Sequence, residues 1–151
     1  MKSIGIIGGI GPDSTIDYYR LILAGFRERT SSVASPSIII NSIDMNKMLR
    51  YIETGELDSA ATYLAFETER LANAGVDYAL LAANTPHFVF HSVQRQTSVP
   101  LISIVEAVRD AAKALNVKHL GLIGTKFTME GSFYPDVFLP NGFELSRANA
   151  R

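Results

Sequence analysis

Five short apolar runs recur along this chain: Ser3 to Gly8, Ser37 to Ser42, Tyr78 to Ala82, Pro100 to Ile104 and His119 to Ile123. Each is rich in Ile, Leu and Val and apolar at consecutive positions, which is the pattern of strands buried on both faces. Segments of helical period separate them. In the first, Ile16, Tyr19, Ile22, Leu23 and Phe26 share a face opposite Arg20, Arg27 and Arg29. In another, Leu57, Ala60, Ala61, Leu64, Ala65, Thr68, Leu71 and Ala72 form a stripe while Glu67, Glu69 and Arg70 face away, and Ala74-Gly75 ends it as a C-cap does. A third helix begins at Pro86, and a fourth carries Ile104, Val105, Val108, Ala111, Ala112 and Leu115. Strand alternating with helix at this spacing predicts right-handed βαβ units. The fold class is therefore a three-layer α/β/α arrangement around a mostly parallel sheet of about five strands. A sixth strand is expected around Gly142 to Leu145, opening a further βα unit that leaves part of an apolar face uncovered.

Composition narrows the function. At 151 residues the chain has the size of one ordinary domain, and 47% hydrophobic with 19% charged residues is a globular balance. The net charge of −1 comes with no run of either sign, so a nucleic acid or a membrane surface is not the expected partner, and a small neutral or anionic ligand is. The absence of cysteine removes disulfides, thiolate metal sites and thiol nucleophiles. His87 and His91 stand four apart, as two metal ligands could, but no Glu follows the first as in HExxH; a cap and a surface residue explain them, and no metal is expected. The amino-terminal glycines argue against a signal peptide and no run reaches membrane-spanning length, so a cytoplasmic location is expected.

Parallel sheets of this kind bind ligands beyond the carboxyl ends of their strands, and each such end here opens into a distinctive loop. After the first strand comes GGIGPDS, residues 8 to 14. Gly8, Gly9 and Gly11 allow close approach of a ligand, Pro12 suits a first helical turn, and free amides at a helix start favour a carboxylate or phosphate. The stretch is neither a Walker A loop nor a full GxGxxG, because Ser14 stands where the third glycine belongs, so a tight βα turn explains it equally well. After the third strand comes AANTPH, where Asn84 and Thr85 either cap the helix at Pro86 or grip an anion at its start. After the fifth comes GTKFTME, residues 124 to 130, where Thr125 and Thr128 cap or bind and Lys126 supplies a charge or points to solvent. Three such loops converging on one rim make a small-anion pocket. After the second strand, Asp44 caps a short helix, with Lys47 and Arg50 in reach of a carboxylate or in solvent. Ser103 and Glu106 cap and solubilise the fourth helix.

IGIIGGIGPDST, DYALLAANTPH, VPLISIVEA and GLIGTKFTMEGSFY, in this order and spacing, resemble the aspartate/glutamate racemase superfamily of cofactor-independent amino-acid racemases. The resemblance covers nearly the whole chain and implies a racemase-type isomerase acting on an amino acid or small dicarboxylate without pyridoxal phosphate or any other cofactor. Such enzymes have two similar α/β domains facing a cleft, and the implied division here is 1–100 for the first and 101–151 for the start of a second, incomplete relative to the family. The resemblance assigns Gly9, Ile10, Gly11, Asn84, Thr85, Thr125 and Thr128 to the substrate carboxylate, whose hydrogen bonds would spread the charge of a Cα carbanion. It also implies a homodimer.

The family moves the Cα proton with two thiols on opposite faces of the substrate. The first thiol position, immediately before the Asn-Thr pair, is Ala83 here. The second belongs to a region that the resemblance puts after residue 151. Arg50 is the nearest candidate for the family's arginine after the second strand. Two readings follow. In one, His87 is the base of an isomerase, since an imidazole titrates near neutrality. In the other, the chain is a non-catalytic carboxylate-binding protein or a racemase fragment.

Overall fold

The computed structural model describes residues 2–30 and 35–147. β1 (Ser3–Gly8) lies inside a four-stranded sheet, between β2 (Ser37–Ser42) and β3 (Tyr78–Leu81), and β4 (Leu101–Ile102) flanks β3. All three pairings are parallel, with Ile6 opposite Ile40 on one side and Leu80 on the other. Parallel neighbours require crossovers, and helices supply them. α1 (Pro12–Thr30) joins β1 to β2, α2 (Met45–Glu53) and α3 (Leu57–Asn73) join β2 to β3, and a 3₁₀ turn (Thr85–Val89) with α4 (Phe90–Gln96) joins β3 to β4.

Strand alternation gives this sheet two unlike faces. Ile7, Ala79 and Leu81 meet Met48 of α2, Ala60, Ala61, Leu64 and Leu71 of α3, and Val93 of α4, in one buried cluster. Ile6, Leu80 and Ala82 meet Tyr18 and Ile22 of α1 in a much smaller one.

The fifth strand does not extend that sheet. β5 (His119–Leu122) pairs in parallel with β6 (Glu144–Arg147) in a separate two-stranded sheet, so the expected single sheet of about five strands is four plus two. A crossover helix returns the chain to a sheet only if its apolar stripe packs there. The stripe of α5 (Ile104–Ala114) instead joins α7 (Phe133–Phe138), with Val105 and Ala112 in one cluster with Phe133, Tyr134, Phe138 and Phe143. β4 is shorter than its apolar run because Ser103 leaves the strand and caps α5, its hydroxyl accepting from the Glu106 amide at 3.3 Å. β6 begins later than expected because Gly142 (φ +78°) closes a turn at Leu139–Asn141.

Three helical details also differ from expectation. On α1 the inward residues are Thr15, Tyr18 and Ile22, while Ile16 is 56% and Tyr19 42% exposed: the apolar residues of that helix exceed what one narrow sheet face can cover. Leu57, placed in the α3 stripe, is exposed at the start of that helix. Glu67 of α3, expected outside, is buried, and its carboxylate accepts 2.8 Å bonds from Asn41 Nδ2 and Arg70 Nη1, which offset the cost of taking it out of water. The chain beyond Arg147 lies outside the described residues.

Candidate carboxylate-binding site

At the end of β1 the backbone turns through Gly9 (φ +83°) and Gly11 (φ +136°). A side chain at Gly9 would bring its Cβ to 2.5 Å from the Ile43 carbonyl oxygen, so the loop after β2 requires glycine there. The Gly9 amide is not available to a ligand, because it donates to Thr15 Oγ1 at 3.1 Å. The amides of Ile10 and Gly11 have no partner among the described residues and immediately precede α1, at its positive end. Ser14 fastens this loop to the next strand, its Oγ lying 2.7 Å from the Ala82 carbonyl oxygen and 2.8 Å from that of Gly11. In place of the third glycine of a dinucleotide loop, the chain thus carries a hydroxyl that ties β1's loop to β3's.

After β3 the backbone enters a 3₁₀ turn with Pro86 in its first turn, so the third helix begins one residue early and tightly wound. Asn84 does not cap it. Its Oδ1 accepts a 2.8 Å bond from the hydroxyl of Tyr134, fifty residues on, and its Nδ2 has no partner among the described residues. The Thr85 hydroxyl is likewise unpaired there, although the residue is 9% exposed, and neither group is sealed from solvent.

His87 lies immediately behind this turn, 4% exposed and stacked on Phe90 with ring centroids 5.1 Å apart. Both ring nitrogens are engaged. The Ile104 amide donates to Nε2 at 3.3 Å, which fixes the proton on Nδ1, and Nδ1 then donates to the Ala83 carbonyl at 3.1 Å. Burial lowers its pKa from 6.5 to about 4, only partly opposed by the backbone carbonyls of Ala83 and Asn84. A base needs an open lone pair, and here the lone pair holds the start of α5.

The third loop meets the second through aromatic packing. α6 (Lys126–Glu130) places Phe127 edge-on to Phe88, centroids 6.4 Å apart, and Phe88 also packs 5.3 Å from Phe133. Thr125 is exposed, and its Oγ1 lies 3.3 Å from Oγ1 of buried Thr128, so Thr128 supports Thr125 from below and does not itself reach the surface. Lys47 and Arg50 remain on α2, Lys47 4.4 Å over the Tyr63 ring and Arg50 5.8 Å over that of Tyr51, and Asp44 caps the helix through the Asn46 and Lys47 amides.

A cavity of about 110 Å³ does occur nearby, but it lies behind the turn, between His87, Phe90, Val105, Glu106, Phe133 and Asp136, away from the free donors. Among the described residues no group of three or more His, Cys, Asp or Glu could hold a metal ion, and no helix is long and apolar enough to cross a membrane. Sequence reasoning passed over Thr15 and Tyr134. A phenol beside Phe133 is a reason to look for a hydrogen-bond partner, but nothing local names Asn84 as that partner.

Parallel strands with donors left unpaired, among the described residues, in the loops after β1 and β3 define an α/β protein whose candidate site lies at the carboxyl ends of its strands. The profile of the Asp/Glu/Hydantoin racemase family matches residues 7–151, and the chain belongs to that family of racemase-type isomerases. It is 37% identical to an aspartate racemase homologue from Pyrococcus horikoshii OT3, covering 99% of this chain and 65% of that one with a TM-score of 0.86. A putative Asp/Glu racemase from Yersinia pestis gives 30% identity, the same coverages and a TM-score of 0.89. Among curated proteins, glutamate racemases of Shewanella piezotolerans and Hydrogenobaculum sp. are 31% identical over 80 residues and 30% identical over 81. Each match takes in 52% of this chain, and only 29% and 31% of the respective relative.

Proposed function

We propose that this chain recognises the carboxylate of an amino acid or small dicarboxylate at the rim formed by Ile10, Gly11, Asn84, Thr85 and Thr125, as the binding half of a racemase-type, pyridoxal-independent site. The observation that carries the reading is the set of unpaired donors there: two backbone amides at the start of α1, the Asn84 Nδ2 and the Thr85 hydroxyl. A carboxylate bound to them would place its Cα near Ala83, whose methyl group cannot take a proton. Gly9 and Thr128 shape the rim from beneath. His87 belongs in this proposal as a brace between Ala83 and α5, because both of its nitrogens are occupied.

The reading is therefore binding without proton transfer by the 83–87 turn. In deuterated water the wild-type chain should bind L-aspartate or succinate and leave the α-hydrogen of aspartate and glutamate unexchanged. Ala83→Cys, which supplies one thiol, should introduce slow exchange without inversion. Rapid exchange by the wild type would overturn the non-catalytic part and make the chain an isomerase with another base. Affinity unchanged in both Asn84→Ala and Thr85→Ala would overturn the site. Two units, with the expected division after residue 100 moved to follow Ile102 because β4 still pairs with β3, a homodimer and a cytoplasmic location complete the proposal; exposed Ile16, Tyr19, Ile40 and Ile102 support association. Sedimentation at micromolar concentration tests the dimer, and a monomer there would remove it.

A further inference from the structure

We infer that Tyr134 is a positioning residue that sets the polarity of the Asn84 side chain, so that the rim offers two N–H donors and accepts carboxylates while rejecting groups that donate. This rests on the carboxylate reading of the site and adds what makes it selective.

An asparagine amide is ambiguous by itself, since a half-turn about its last bond exchanges an acceptor for two donors. Asn84 would present whichever end its surroundings leave free. Tyr134 removes the ambiguity by proton counting. Tyr134 as a residue is 8% exposed, its ring wedged between Phe133 and Phe138 with centroids 5.4 and 5.8 Å away, and a phenol so placed holds its hydroxyl in one direction, towards Asn84. The Asn84 Oδ1, at 2.8 Å, is that hydroxyl's acceptor, and no other acceptor serves it among the described residues. Were the amide turned, Nδ2 would donate to the phenol oxygen and the phenol proton would lose the one acceptor it has among the described residues. The amide therefore keeps Oδ1 towards Tyr134 and Nδ2 towards the rim. Burial and the nearby Tyr18 both raise the Tyr134 pKa, so the proton stays on the phenol across the physiological range.

The geometry also joins the two halves of the chain. Tyr134 belongs to α7 and the cluster beside the two-stranded sheet, whereas Asn84 follows β3 of the four-stranded one. Specificity at the rim of the first sheet is thus set by a side chain packed against the second.

Two measurements test this, one without ligand. In the free protein the Asn84 side-chain carbonyl ¹³C resonance should move upfield in Tyr134→Phe, where its hydrogen bond is lost, with little change at the side-chain nitrogen. A shift at the nitrogen with an unmoved carbonyl would show the opposite polarity and overturn the inference, whatever the protein binds. With ligand, the ratio of affinities for succinate over succinamide should fall about three- to tenfold in Tyr134→Phe, the range of one hydrogen bond. A merely structural loss would weaken both ligands alike and leave the ratio unchanged, which would also overturn it. Failure of the wild type to bind succinate would defeat the carboxylate reading instead, and the resonance shift would still decide the polarity of Asn84.

Discussion

The two faces of the four-stranded sheet are built from the same kind of residue and end up very differently packed. On the α3 face, Ile7 and Leu81 are sealed under α2, α3 and α4. On the α1 face, Ile6 and Leu80 are sealed, but their register partners Ile40 and Ile102 stay 41% and 43% exposed because α1 packs over the middle of that face and leaves its edges open. The difference teaches that the apolarity of a strand reports how much it could bury and not how much its neighbours cover. The thick face also anchors the loops after β1 and β3, since Ile10 of the glycine loop and Val89, Phe90 and Val93 after the 83–87 turn are all buried in its cluster.

The largest effect should come from breaking the thick face. Leu64→Ala empties a fully buried position and should destabilise the fold by about 2–5 kcal/mol in urea unfolding. A loss below about 1 kcal/mol would show that the face is less well filled than its burial indicates.

Next is the pH dependence contributed by His87 on the same side. Its folded pKa of about 4 lies below the ordinary 6.5, so the unfolded state binds more protons between those values and stability rises with pH across them. The contribution is fully present above pH 6.5 and is lost as pH falls towards 4, an effect of about 3 kcal/mol. His87→Gln should flatten that part of a stability-against-pH curve measured by denaturant; an unchanged slope would mean that other groups cause it.

In the glycine loop, Gly9→Ala forces a Cβ against the Ile43 carbonyl at φ +83° and should cost about 1–3 kcal/mol. The smallest effect should be Ile40→Thr on the thin face, within about 0.5 kcal/mol as for an exposed position. A loss comparable with that of Leu64→Ala would show that a second copy or another surface covers this face in solution.

Strands, crossovers and the three loops were legible because they rest on short-range regularities. Alternation of apolar runs with helical stripes found β1, β2, β3, β4 and β5, and the glycine pair and the Asn-Thr-Pro junction marked the loops after β1 and β3. What the pattern missed depended on contacts between distant segments. Glu67 looks like an outward charge until Asn41 is placed across from it, and His87 looks like a free imidazole until the Ile104 amide reaches its Nε2.

The sequence by itself determined the class of fold, the family and the absence of a thiol at residue 83, since each is a matter of residue identity and spacing along the chain. Only the tertiary structure decided that the fifth strand leaves the first sheet, that His87 is a brace, and that Asn84 is held by Tyr134. The physical reason is common to all three. A strand edge, a ring nitrogen and an amide oxygen each take whichever partner packing brings within about 3 Å, and that choice is made in space between residues far apart in the chain.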